Sequence, residues 1–89
     1  MLKTEITIIN KLGLHARASA KFVSTANKFQ SHIEVIKGQQ KINGKSIMGV
    51  MLLAATQGTL ITLIIDGPDE EEMHQAIVSL INNRFGEPE

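Results

Sequence analysis

Apolar and polar positions change their period along the first part of the chain. From Leu2 to Ile8, apolar residues alternate with charged or hydroxyl-bearing ones, which is typical of a strand with one buried face. From Ala16 to Phe29 the spacing becomes helical. The apolar stripe is Ala18, Phe22, Ala26 and Phe29, and the solvent-facing stripe is Arg17, Lys21, Ser24 and Lys28. The pattern predicts a strand over 2–8 and a helix over 16–29.

The middle of the chain carries two strand signals and then a helix signal. Two short runs, 33–37 and 40–42, are separated by a turn at Gly38 and predict a hairpin. Apolar residues at helical spacing then predict a short helix over 46–54, although Gly49 inside it costs about 1 kcal/mol relative to alanine. This part of the chain is therefore expected to form a β-β-α unit.

An apolar run and an acidic helix complete the pattern. The run from Leu60 to Ile65 is rich in β-branched residues and predicts an interior strand. Asp69 and Glu72 have the spacing of an N-terminal capping pair for a last helix, and Gly86 is its predicted end. The buried stripe of this helix consists of Met73, Ile77, Leu80 and Ile81.

The predicted elements follow the order β-α-β-β-α-β-α. Four strands and three helices in this order indicate an α+β fold, an open-faced β-sandwich. We expect a four-stranded, mostly antiparallel sheet covered on one face by the three helices. The length of 89 residues suits one domain over 1–89.

Composition narrows the classes of function. Nine basic and nine acidic residues cancel, so the chain lacks the excess of Lys and Arg that binds nucleic-acid backbones. The absence of cysteine excludes disulfides and thiolate metal sites. The first residues contain no uninterrupted apolar segment of the kind that forms a signal peptide or a membrane anchor. A cytoplasmic protein is expected, without nucleic-acid binding or membrane insertion.

The segment GLHARAS, residues 13–19, lies where the first strand pattern gives way to the first helix pattern. A helix that begins near Ala16 places His15 in the N-cap region, where several backbone N–H groups lack intrahelical acceptors. These donors and the positive end of the helix dipole attract anions. The Arg17 guanidinium adds a planar cation suited to phosphate oxygens. The segment therefore predicts a site for a dianion.

A histidine at this site is able to accept a phosphoryl group, because neutral imidazole is nucleophilic. The resulting phosphoramidate would be stabilised by the helix amides and by Arg17, while its N–P bond stays labile enough to pass the group on. The alternative is that His15 only caps the helix or lies on the surface. His32 and His74 are predicted to be solvated surface residues, since neither has the spacing of a metal-ligand pair with another histidine or cysteine.

Ser46 is a second candidate for a charged group. The triplet GKS at 44–46 resembles the end of the nucleotide-binding loop GxxxxGK[ST], but five residues rather than four separate Gly38 from Gly44. Ser46 is instead predicted to be the N-cap of the second helix. A phosphate on it would add roughly two negative charges beside an apolar patch and would block a partner without unfolding the protein. That patch consists of Ile47, Met48 and Met51.

These two segments resemble a known family. GLHARAS at 13–19 resembles the GLHARPA phosphorylation motif of the HPr family, the histidine-containing phosphocarriers of the phosphoenolpyruvate-dependent phosphotransferase system. NGKSIMGVM at 43–51 resembles the segment around the regulatory serine of that family. The resemblance extends over the whole chain, because the predicted order of strands and helices is also that of the family.

The resemblance implies that His15 takes a phosphoryl group from phosphorylated enzyme I and passes it to IIA domains of sugar permeases or regulators. It implies that ring Nδ1 carries the phosphate, that Arg17 stabilises it, and that an ATP-dependent HPr kinase/phosphorylase modifies Ser46 in bacteria that have one. The protein is then a carrier rather than an enzyme and is expected to be a monomer, and no cofactor or metal is implied. The partner-facing positions of the family correspond to Ala16, Ala20, Ser24, Ile47, Met48 and Met51.

One position departs from the family motif. Ala18 stands where the family usually has proline, so the fixed backbone angle of an early helical proline is lost. Alanine is the strongest ordinary helix former, and we expect the fold and the chemistry of His15 to persist. We expect the loss of proline to affect the position of the Arg17 side chain most.

Three other functions fit parts of the pattern. A nitrogen-related HPr paralogue would use the same histidine with a different enzyme I and IIA partner, although KSIMGVM around Ser46 favours the sugar branch. A regulatory binding module would be modified at Ser46 alone, with His15 unused. A single-strand nucleic-acid binder would need exposed aromatic side chains on the open sheet, and the three phenylalanines do not supply them.

Overall fold

The computed structural model describes residues 1–89 and confirms the predicted order of elements. In chain order these elements are β1 (Leu2–Thr7), α1 (Ala16–Ala26), β2 (His32–Lys37), β3 (Gln40–Asn43), α2 (Ile47–Leu52), β4 (Leu60–Asp66) and α3 (Glu70–Asn82). A terminal 3₁₀ helix, Arg84–Gly86, follows α3. The chain therefore has the β-α-β-β-α-β-α order with one short additional turn at its end.

The four strands form one sheet in the order β1-β4-β2-β3. Every neighbouring pair is antiparallel, so the sheet is wholly rather than mostly antiparallel. β4 lies in the interior, between β1 and β2, as its apolar run predicts. β2 and β3 form the predicted hairpin, with Lys37 opposite Gln40 and a left-handed backbone at Gly38 (φ 59°) in the turn.

The helices cover one face of the sheet and enclose one hydrophobic core of 17 buried residues. The interior strand shows the alternation most clearly, since Ile61, Leu63 and Ile65 are buried and the residues between them are not. Burial of each such side chain contributes roughly 1.5–3 kcal/mol. The positions of β4 that point away from the helices are exposed or half-buried, which leaves the sandwich open on that side.

The first two helices end before their predicted boundaries. Asn27 is the C-cap of α1, and its Nδ2 donates to Val23 O at 3.0 Å, a carbonyl at the open end of the helix. Lys45 Nζ reaches across and donates to Phe29 O at 2.6 Å. Phe29 lies beyond the end of α1 but still packs against the core. Because it keeps the apolar spacing of the helix, the sequence pattern predicted a longer helix. α2 stops two residues early because Ala54 has a left-handed backbone (φ 51°).

The last helix also ends earlier than predicted. α3 ends at Asn82 rather than at Gly86, because Arg84 and Phe85 adopt left-handed backbone angles (φ 55° and 54°). Such angles are unfavourable for residues with a Cβ. Burial of the Phe85 side chain in the core offsets part of that cost. At 13 residues, α3 is the longest helix, and no helix combines the length and apolar character needed to cross a bilayer.

The predicted capping pair at the start of α3 is wrong. Asp69 occupies the N-cap position, but its side chain makes no capping hydrogen bond. Its carboxylate accepts instead from the Ser31 hydroxyl at 2.5 Å and from the amides of Gln30 and Ser31 at 2.9 Å each. These donors, the Ser31 hydroxyl first, hold the pKa of Asp69 below its usual range. Asp69 thus ties the loop after α1 to the start of α3.

Candidate functional site

The loop between β1 and α1 fixes the backbone next to His15. Leu14 is buried, and its amide donates to Ala55 O at 2.8 Å. Gly13 has a φ of 65°, and a Cβ on it would lie 2.4 Å from Ala55 O. Ser19, in the first turns of α1, donates its hydroxyl to Leu14 O at 3.0 Å. Only glycine allows this close approach, and the contacts on either side hold His15 at the start of the helix.

His15 is the N-cap residue of α1, as predicted, with an extended backbone (φ −71°, ψ 179°). Its side chain does not cap the helix, and the first turn contains no acidic residue. The amides of Ala16, Arg17 and Ala18 donate to no acceptor in the protein, whereas the Ser19 amide donates to His15 O at 2.8 Å. α1 therefore begins with unpaired N–H groups next to His15, an arrangement that attracts anions.

The His15 ring contacts a carboxylate from the far end of the chain. Nε2 of His15 is hydrogen-bonded to Oε2 of Glu87, and 28% and 11% of the two side chains are exposed. A carboxylate only accepts, so the hydrogen lies on Nε2 and the neutral ring keeps its lone pair at Nδ1. Nδ1 has no hydrogen-bond partner in the protein. The unengaged nitrogen is therefore the nucleophilic one.

Glu87 is held from two sides. Its Oε1 accepts from Asn10 Nδ2 at 3.0 Å, while Oε2 faces His15. Burial raises the pKa of Glu87, but hydrogen bonds from Asn10 and His15, together with the positive charge of Lys21, outweigh burial and hold the pKa below its usual range. Lys21 lies near because its Nζ donates to Phe85 O at 2.6 Å. The carboxylate is therefore ionised at neutral pH.

Arg17 lies on the surface and lines the same shallow depression as His15. Lys11, Leu12 and residues 87–89 line it as well. The Lys11 ammonium pairs with a Glu89 carboxylate oxygen at 3.5 Å. The Arg17 guanidinium pairs with no carboxylate, since the ion pairs of the protein involve Met1, Lys11, His15 and Lys41. Arg17 is the cation of this depression that remains available to an anion.

Ser46 is the N-cap of α2, as predicted. Its Oγ accepts from the Gly49 amide at 3.2 Å. Gly49 lies against β3, where a Cβ would come within 3.3 Å of Ile42 Cβ, so close packing accounts for a glycine inside this helix. The Ser46 side chain is half-buried at the helix start, next to the exposed residues Ile47 and Met48.

The predicted partner-facing residues all lie on the surface. Ala16, Ala20 and Ser24 are exposed on α1, and Ile47, Met48 and Met51 are exposed on α2. The two helices contact each other, so both sets lie on neighbouring elements. Leu12 and Leu52, with 66% and 67% of their area exposed, are further apolar residues that the sequence pattern did not single out.

The two other histidines differ in environment. His32 is exposed, as predicted. The prediction that His74 is solvated is wrong, because it is half-buried and its Nε2 lies 2.6 Å from Thr4 Oγ1. This contact joins α3 to β1. No group of three His, Asp or Glu side chains is arranged to hold a metal ion.

Sequence reasoning missed Glu87, Asn10 and the contact of Lys21. Glu87 is 72 positions from His15 and 77 from Asn10, so no local spacing connects them. Lys21 lies on the stripe predicted to face solvent, and only the fold shows that its ammonium reaches the end of the chain. One local signal was present in the sequence, because Asn10 is a polar residue directly after the apolar pair Ile8-Ile9. The structure shows that it is fully buried.

Comparison with known proteins connects this site to a family. The family model described as "PTS HPr component phosphorylation site" matches residues 2–83. Phosphocarrier protein HPr of Neisseria meningitidis serogroup A is 58% identical over 89 residues and covers all of both chains. HPr-C-His from Thermoanaerobacter tengcongensis has a crystal structure that covers 100% of both chains, with 50% identity and a TM-score of 0.96. An HPr dimer from the same organism covers 98% of this chain and 100% of its own, with 52% identity and a TM-score of 0.79.

These similarities rest on the whole chain rather than on a single motif. The family model covers His15, Arg17 and Ser46, and it ends before Glu87. The relatives match from end to end, and the solved structure shares the antiparallel sheet with its three helices. The chain belongs to the HPr family of phosphocarrier proteins.

Proposed function

We propose that the protein carries phosphoryl groups on Nδ1 of His15 in a bacterial phosphoenolpyruvate-dependent sugar phosphotransferase system. The observation that carries the proposal is His15 at the open start of α1, with Nε2 engaged by Glu87 and Nδ1 unengaged. The donor is phosphorylated enzyme I and the acceptors are IIA domains. Residues 1–89 act as one cytoplasmic domain and as a monomer, a carrier that needs no cofactor.

The chemistry of uptake follows from the state of the ring. The lone pair of Nδ1 forms a bond to phosphorus while the bond from phosphorus to the donor breaks, and the electron pair of that bond stays on the donor. Nε2 keeps its hydrogen, so the His15 ring gains a formal positive charge. The Glu87 carboxylate on Nε2 stabilises that charge, as a carboxylate does for the imidazolium of a catalytic triad.

The phosphoryl oxygens are stabilised by different groups from those that stabilise the ring. The unpaired amides at the start of α1 provide donors with no competing acceptor in the protein. The unpaired Arg17 guanidinium provides charge-assisted hydrogen bonds. Transfer onward reverses uptake, because the N–P bond breaks and its electron pair returns to Nδ1. A ring that stays protonated on Nε2 leaves readily, which suits a carrier.

Ser46 is proposed as a regulatory site for an HPr kinase/phosphorylase in hosts that have one. Its hydroxyl lies at the start of α2, beside the exposed side chains of Ile47 and Met48. Only Val50 of this helix is fully buried, so a phosphate on Ser46 adds charge to a surface without displacing the core. The charge would weaken docking of enzyme I on the apolar residues.

Phosphorus NMR after incubation with phosphoenolpyruvate and enzyme I tests the carrier function. We expect one acid-labile phosphoimidazole signal that is absent from His15→Ala. The matched control is His32→Ala, which removes an exposed histidine and should keep the signal. Circular dichroism should show a native fold in both variants.

Two results would change the assignment. Absence of the signal with both the sugar-type and the nitrogen-type enzyme I would overturn the carrier function. A signal with the nitrogen-type enzyme I alone would keep the carrier chemistry but move the protein to the nitrogen-related branch.

A further inference from the structure

Asn10 is a fully buried amide with one unsatisfied end. Its side chain is 0% exposed, and its Oδ1 has no hydrogen-bond partner. Its Nδ2 donates twice, to Gly13 O at 2.8 Å and to Glu87 Oε1 at 3.0 Å. Because both neighbours are acceptors, turning the amide over would place oxygen against oxygen. The orientation of Asn10 is therefore determined by its two contacts.

The unpartnered oxygen makes Asn10 an exception in this protein. Ser19 and Ser31 are the other buried polar side chains, and the hydroxyl of each is hydrogen-bonded. A buried oxygen without a donor costs free energy that an apolar side chain would avoid. Departures from such rules are expected where function requires them. The other end of the Asn10 amide, Nδ2, connects Gly13 O to the Glu87 carboxylate.

That connection joins the two parts of the phosphoryl site. Gly13 O belongs to the loop that leads into His15, and Glu87 Oε1 belongs to the carboxylate that contacts the His15 ring. One amide nitrogen therefore sets the position of the carboxylate relative to the backbone that carries the histidine. With Oε1 bonded to Asn10, Oε2 faces Nε2 of the ring.

No other group performs this task at the end of the chain. Lys21 Nζ holds the segment through Phe85 O, and Lys11 holds it through the backbone and side chain of Glu89. Neither lysine hydrogen-bonds the Glu87 carboxylate. Besides the histidine itself, Asn10 is the one hydrogen-bond donor to that carboxylate.

We propose that Asn10 is a positioning residue for phosphoryl transfer, which acts through Glu87 to keep His15 bonded at Nε2 and free at Nδ1. This inference rests on the proposed carrier function of His15 and names a residue on which that function depends. Asn10 makes no hydrogen bond to the ring, and the bond that leads from it to the ring is the one to the Glu87 carboxylate.

A double-mutant cycle tests the inference. The variants are Asn10→Ala, Glu87→Gln and the combination of both. Glu34→Gln is the matched control, because it makes the same Glu-to-Gln change at a carboxylate that pairs with Lys41 on the β2–β3 hairpin and does not line the depression beside His15. Asn10→Ser is a second variant in case alanine unfolds the loop, since serine has one donor and is unable to satisfy both Gly13 O and Glu87.

Two measurements are made on each variant. Ring ¹⁵N shifts of unphosphorylated His15 report which nitrogen carries the hydrogen, and a quench assay reports the rate of uptake from enzyme I. We expect Asn10→Ala to slow uptake at least about tenfold, the scale of a small misplacement at a reacting centre. It should also convert a single Nε2–H form into a mixture of both forms. Glu34→Gln should change neither reading.

The cycle distinguishes positioning from general support of the loop. If Asn10 acts through Glu87, Asn10→Ala adds little once Glu87→Gln is present. Equal losses in both backgrounds, or ring shifts that Asn10→Ala leaves unchanged, would overturn the inference. The ring shifts need no phosphoryl donor. Suppose that the unchanged protein takes up no phosphate, but that Asn10→Ala still converts the single Nε2–H form of the ring into a mixture. That result would support the positioning role of Asn10 and count only against the carrier function.

Discussion

Two carboxylates lie near opposite ends of α1 and are held in similar ways. Glu87 contacts the N-cap residue His15, and Asp69 accepts from Gln30 and Ser31, which follow the other end of the helix. Neighbouring donors hold the pKa of each carboxyl below its usual range. The donors differ in kind. Those of Asp69 are backbone amides and a hydroxyl, whereas those of Glu87 are the Asn10 amide and the His15 imidazole, whose Nδ1 is unengaged.

The two arrangements differ in how completely their polar groups are paired. Ser31 Oγ donates to Asp69 and also accepts from its amide at 3.2 Å, so that network is closed. At the other end the His15 side chain is 28% exposed and the Asn10 oxygen is unpartnered. A closed network stabilises the fold, while an open one leaves an atom free to react.

Of the variants considered, Gly13→Ala should have the largest effect, because it disturbs the loop that leads into His15. Its Cβ would meet Ala55 O at 2.4 Å, in addition to the strain of a left-handed backbone. Gly38→Ala is the matched control, because Gly38 has a similar φ of 59° and a Cβ added to it would have no atom within 4 Å. The control should cost roughly 1–2 kcal/mol of unfolding free energy.

Denaturant unfolding and phosphoryl uptake measure the two glycine variants. We expect Gly13→Ala to be destabilised several times more than Gly38→Ala and to lose phosphorylation of His15. Equal unfolding free energies would mean that the approach to Ala55 does not constrain the loop.

Asp69→Asn should lower the melting temperature by several degrees and leave uptake by His15 unchanged, because it damages only the closed network. The folded-state pKa of Asp69 lies below the ordinary value of 3.8. Its contribution to stability is therefore complete above the unfolded-state pKa and is lost as the pH falls through the folded-state pKa. The difference in melting temperature between protein and variant should be largest near neutral pH and disappear in acid.

Glu71→Gln is the control for charge at the start of α3, since Glu71 is an exposed acidic residue in the first turn of the same helix. Its effect on melting temperature should be smaller. A difference for Asp69→Asn that does not change with pH, or a loss of phosphoryl uptake in that variant, would contradict the separation of the two ends.

Ser46 carries the smallest expected effect on stability. Ser46→Ala loses the bond to the Gly49 amide and should cost about 1 kcal/mol. Ser46→Asp keeps a capping side chain and adds a negative charge, so it should slow transfer from enzyme I with a melting temperature near that of the wild type. Equal transfer rates in the two variants would leave capping as the only role of Ser46.

The strands were predicted better than the helix ends. Alternation over 2–8 and the apolar run over 60–65 depend on which face of a strand is buried, and that face is visible in neighbouring residues. The helix ends depend on distant partners, such as Lys45 on Phe29 O, or on unfavourable backbone angles like that of Phe85. The helices therefore end before the apolar helical spacing in the sequence does.

The predictions for the candidate site were likewise correct where nearby residues decide the structure and wrong where distant residues do. Both N-cap positions, His15 and Ser46, were correct because a helix start is determined by residues within four positions. The capping role of Asp69 was wrong because its carboxylate had better donors in Gln30 and Ser31, 39 and 38 positions away.

The sequence by itself determined the order of elements, the helix starts and the placement of a histidine and an arginine beside unpaired amides. These features follow from short-range periodicity and from hydrogen bonds that close within one turn. Only the tertiary structure decided which nitrogen of His15 is free. Glu87 engages Nε2 of His15 and is itself held by Asn10, which is 77 positions away in the sequence. They meet because burial of one continuous core brings the last turn of the chain back against the first loop.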